Sequence, residues 1–150
     1  MTTATEALAA IKSRLSTGIA FTLYYQGDPA PILPDTPTAF GFVVFDNFGS
    51  GSFGPVSFGG GAGQNRYRNE AVIEIYVFSP NRYGAAAVLA HAETVAARLR
   101  SYRDSYVSCF NADVKMIGPG SSISLPEIGG AVNNYQCAVA ECSFHFDQIG

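Results

Sequence analysis

Residues 65–103 read NRYRNEAVIEIYVFSPNRYGAAAVLAHAETVAARLRSYR, and this stretch decides the fold. Within it, Ala71 to Phe78 (AVIEIYVF) is dense in β-branched and aromatic residues, the side chains that suit a pleated, half-buried surface. The pattern predicts a strand over Tyr67–Ser79, stopped at Ser79-Pro80-Asn81. After the proline, Val88, Ala92, Val95, Leu99 and Tyr102 recur at spacings of four, three, four and three. That period places an apolar stripe on one face of a helix ending near Arg103. Arg98, Arg100 and Arg103 fall in its last turns, where positive charge suits the negative end of the helix dipole. A sheet with a helix laid across it is the expected centre of the protein.

Working outward, Thr3 and Glu6 match a capping box that opens a first helix. Leu8, Ile11 and Leu15 mark its apolar face, and Gly18 its end. Ile19–Tyr25 (IAFTLYY) reads as a strand. Prolines at 29, 31, 34 and 37 then make an extended connection, because proline cannot donate in a ladder. Thr38–Asp46 (TAFGFVVFD) reads as a second strand, apolar on both faces and therefore central. Ser108–Ile117 and Asn134–Asp147 are two more strands, separated by a loop over 118–130 that holds Pro119 and Pro126. The order lacks a repeated strand–helix alternation, so the expected class is α+β: a mainly antiparallel sheet of about five strands with two helices, in one domain over 1–150.

Residues 47–64 are rich in glycine yet carry Phe48, Phe53, Val56 and Phe58. A bare linker does not need aromatics. The segment is either a hairpin tip or an arm that orders against a neighbouring subunit through its phenylalanines.

Composition narrows the function. Only 14% of the residues are charged and the net charge is −3, so much of the surface is neutral and partly apolar, as on a protein covered by partners. No basic stripe is present, which argues against direct duplex binding. No apolar run approaches membrane-spanning length, and Met1–Ala10 does not read as a signal peptide. Cys109, Cys137 and Cys142 are too few and too irregular for a disulfide framework, which fits a reducing compartment.

Chemistry-bearing motifs are scarce. There is no nucleophile elbow and no His-Glu-x-x-His, and His91 and His145 read as boundary residues. Cys137, Cys142 and His145 invite a metal reading, but strand alternation sends the two cysteines to opposite faces, where small buried thiols are the expected outcome. Gly59-Gly60-Gly61 lacks the Lys-Ser ending of a phosphate loop. Arg66, Arg68, Glu70 and Glu74 all fall on even positions of one strand and so share a face. They make either a solvated surface, or a subunit interface or channel wall in which paired charges set register.

A short N-terminal helix, an aromatic and glycine-rich segment, and NRYRNEAVIEIYVFSP before a helix that opens at glycine together resemble the tail-terminator proteins of long-tailed bacteriophages and gene transfer agents. Arg68, the Val72–Phe78 run, Pro80 and Gly84 occupy the places where that family carries an arginine, an apolar strand, a proline and a helix-opening glycine. The final strand, with Tyr135-Gln136 before alternating apolar residues, is similar to the family's closing strand. The insertion after the second strand departs from the pattern.

The resemblance implies a structural virion protein rather than an enzyme, with neither cofactor nor metal. Such a protein forms a ring, commonly hexameric, on the end of the tail tube, halts polymerisation and presents a surface to the head-side connector or stopper. It is made in the bacterial host cytoplasm and resides at the neck of the virion, with no membrane association. On this reading Phe48, Phe53, Phe58, Arg66 and Arg68 lie at the subunit interface. Glu70 and Glu74 face a lumen through which DNA passes without specific binding. The competing readings are another head–tail joining protein, or a small cytoplasmic enzyme or ligand-binding domain using His145, Cys142 and Glu141.

Overall fold

The computed structural model describes residues 2–29, 32–46, 56–58, 63–64, 66–120 and 133–149. Helix α1 (Ala4–Leu15) is followed by β1 (Thr22–Tyr25), β2 (Phe40–Asp46), β3 (Val56–Phe58) and β4 (Arg66–Pro80). A single 3-10 turn (Asn81–Tyr83) then leads into α2 (Gly84–Leu99), β5 (Ser108–Pro119) and β6 (Tyr135–Ile149). The strands form one sheet in the order β1-β2-β4-β6-β5, with β3 also paired to β4. Among the described residues β1 and β2 pair in parallel and the remaining pairings are antiparallel. The architecture is therefore α+β, a mixed and mostly antiparallel sheet with two helices packed on one side.

β4 is the spine. Its odd residues Ala71, Ile73, Ile75 and Val77 are buried beneath the helices. Fully burying a Val or Ile side chain stabilises by roughly 1.5–3 kcal/mol each. Its even residues from Arg66 to Tyr76 lie on the opposite face, as period two requires. β4 pairs along its whole length with β6, from Arg66↔Ile149 to Pro80↔Tyr135. Its other side is shared: β2 takes Val72 to Phe78 and β3 takes Arg66 to Arg68.

Helix α2 crosses β4, β5 and β6. Small residues on both sides of that contact, Ala92 and Ala96 above and Ala112, Ala138 and Ala140 below, are all buried and let helix and sheet approach closely. Helix α1 opens with the expected capping box: the Glu6 N–H donates to Thr3 Oγ1 at 3.2 Å, and the Thr3 N–H donates to Glu6 Oε2 at 2.7 Å. It packs on α2, and the two helix ends exchange hydrogen bonds. Arg14 Nε donates to the Arg98 carbonyl at 2.7 Å, and Arg98 Nη2 to the Arg14 carbonyl at 3.1 Å. A second cluster lies on the far side of the sheet, where Phe40, Phe42, Phe78, Tyr135 and Cys137 are buried and Phe40 stacks on Phe78 at 4.8 Å.

Several boundaries differ from the sequence reading. The buried face of α1 is Ala7, Ala10, Ile11 and Leu15, with Leu8 only half-buried, because alanines carry the contact. β1 begins at Thr22 rather than Ile19, since Ile19 and Phe21 pack on the core without joining the ladder. Helix α2 stops at Leu99, short of Arg103. Arg100 has extended backbone and Ser101 a φ of +57°, which turns the chain onto β5. A sixth strand, β3, lies within residues 47–64, which the sequence reading left as arm or tip.

Candidate functional site: the helix-free face of the sheet

Both helices lie on one side of the sheet, so the chemistry-bearing side chains of β4, β5 and β6 collect on the other. Arg66, Arg68, Glu70 and Glu74 share this face, as period two predicts. The register adds partners that a single strand could not reveal. Arg68 lies opposite Asp147, Glu70 opposite His145, and Glu74 opposite Glu141, which in turn lies opposite Asp113. Glu74, Glu141 and Asp113 thus form one transverse row of carboxylates across three neighbouring strands. Like charges directly opposite on adjacent strands are destabilising. Two neutral donors relieve the row: Tyr76 Oη donates to Glu74 Oε2 at 2.7 Å, and Asn111 Nδ2 to Asp113 Oδ1 at 2.9 Å. Partial burial, then the Glu74 contact, pushes the Tyr76 phenol well above its ordinary range.

At the end of β6 the charges are matched. Arg68 grips Asp147 with two bonds, Nε to Oδ1 at 2.9 Å and Nη2 to Oδ2 at 3.2 Å, and Arg66 Nε reaches Oδ2 at 3.2 Å. The Asp147 side chain is 15% exposed, against 35% for Arg68 and 62% for Arg66. The Arg68 hydrogen bond holds the Asp147 carboxyl below the usual carboxylate range despite its partial burial. Arg68 is therefore committed within its own chain, which leaves Arg66 as the more accessible of the two.

His145 sits beside this clamp and beside Phe110, with ring centroids 5.2 Å apart. Its Nδ1 is buried with no hydrogen-bond partner. Burial, with the Arg68 charge adding to it, lowers its pKa and so favours the neutral ring. A polar recess of about 200 Å³ opens there, lined among others by Arg66, Tyr106, Ser108, His145 and Asp147. The turn below it is built by Asp104, whose carboxylate accepts from the Tyr106 and Val107 N–H groups at 2.7 and 2.8 Å.

The residues an enzyme reading would use do not converge. Glu141 and His145 lie on the helix-free face, while Cys142 is buried beneath the helices. Cys137 and Cys142 fall on opposite faces, as alternation requires. Cys142 shares a hydrogen bond with Cys109, which together with burial keeps the Cys109 thiol protonated, and burial pushes Cys137 up to about 12. Among the described residues no three His, Cys, Asp or Glu side chains could hold a metal ion. His91 stacks edge-on against Phe21 at 5.1 Å beside β1. No helix among the described residues is long and apolar enough to cross a membrane.

Of the expected interface residues, Phe48 and Phe53 lie outside the described residues. Phe58 is in β3, paired with Arg66. Sequence reasoning missed Asp147, Glu141 and Asp113 as partners of the charged strand, because each lies far along the chain and only the β4–β6–β5 register brings it across. Compared with protein-family models and with curated proteins, the chain matches none.

Proposed function

We propose that this chain is a structural ring-forming protein that caps a bacteriophage-type tail tube, ends its polymerisation and offers a surface for head–tail joining. The observation that carries the reading, beside the sequence resemblance, is the sheet with both described helices packed on one side. Its other side presents Glu70 and the Glu74–Glu141–Asp113 row. In a closed ring, such a face turned inward makes a wall that repels the phosphate backbone of passing DNA, since like charge keeps a polyanion from adhering. Carboxylates in register on adjacent strands cost stability, and a role as lumen wall gives them a reason to be there. Arg66, exposed at the base of the glycine-rich segment, remains the candidate interface residue of the arginine pair, with Arg68 holding the strand end in place.

The test is direct. The purified chain is mixed with tail tubes and imaged by electron microscopy, and its mass in solution is followed by light scattering coupled to size exclusion. A ring seated on tube ends, and tubes that no longer elongate, are the expected results. A protein that stays monomeric and never associates with tubes refutes the reading. Association with DNA-filled heads instead of tubes moves the chain to a stopper or adaptor role.

A further inference from the structure

We draw no further inference here: the strongest candidate, the polar recess of about 200 Å³ beside the unpartnered Nδ1 of His145, belongs to the site already described, and its lining sets Asp104 and Asp147 against Arg66, so that it selects no class of ligand.

Discussion

Replacing Asp147 by Asn isolates what the double arginine clamp contributes. The carboxylate receives three N–H contacts, two from Arg68 and one from Arg66. A hydrogen bond to a charged group is worth about 1.5–3 kcal/mol. The Arg66 contact is mostly exposed and counts for no more than about 0.5 kcal/mol. Asn keeps one oxygen for Arg68 and loses the other along with the charge. The expected loss at pH 7 is therefore about 2 kcal/mol. Arg66→Ala should cost less than about 0.5 kcal/mol. The pH dependence fixes the mechanism. Asp147 has a folded pKa below its unfolded one, so its contribution is complete above the unfolded value of about 3.9 and is lost as pH falls through the folded value. The gap between wild type and Asp147→Asn should accordingly be widest near neutrality and close steadily in acid. The chain has no tryptophan and eight tyrosines, so urea unfolding is best followed by far-ultraviolet circular dichroism together with tyrosine emission. A gap that is the same at about pH 7 and about pH 2.5 refutes the electrostatic origin. A gap below about 0.5 kcal/mol at neutral pH refutes the clamp's importance.

Four other outcomes are expected. Phe78→Ala, which empties the centre of the aromatic cluster where Phe78 is fully buried, should destabilise by about 3–5 kcal/mol in the same assay. Gly41→Ala places a Cβ 2.5 Å from Leu23 Cδ2 and 3.4 Å from Phe21, so it should cost about 1–2 kcal/mol as Leu23 swings aside; a neutral result means the β1–β2 contact is looser than described. Thr3→Ala removes the side-chain half of the capping box and should cost about 1 kcal/mol. All three cysteines are buried, and at pH 8 a thiol reagent should label none in the native protein on a timescale of minutes and all three in denaturant.

The spine of the fold was legible because β4 announces itself twice, by β-branched density and by strict alternation. The stripe of α2 was legible for the same kind of reason, a period matched from Val88 to Leu99, about three turns. The stripe of α1 was legible in part: Ile11 and Leu15 are buried as read, while Leu8 is only half-buried. The rest of its buried face is Ala7 and Ala10, and alanine is too common on solvent faces to signal a core. The end of α2 was misjudged because nothing in Arg-Ser-Tyr-Arg marks Ser101 as the residue that turns left-handed. The candidate site was half legible. Shared facing of Arg66, Arg68, Glu70 and Glu74 follows from period two alone, but Asp147, Glu141 and Asp113 enter through pairings between distant segments. Period two fixes which face a side chain takes, but which distant residue it meets depends on the pairing of segments far apart in the chain.

The way β2 and β3 share one side of β4 has a practical consequence. Asp46 pairs with Val72 and Val56 with Arg68, so positions ten apart in the chain land four apart on the spine. Each of the two short ladders is anchored to β4 by its own set of pairings. β2 and β3 therefore act on the spine as two separate clamps, one over Val72–Phe78 and one over Arg66–Arg68. A substitution that loosens one of them should leave the register of the other intact, so damage along this side of β4 stays local.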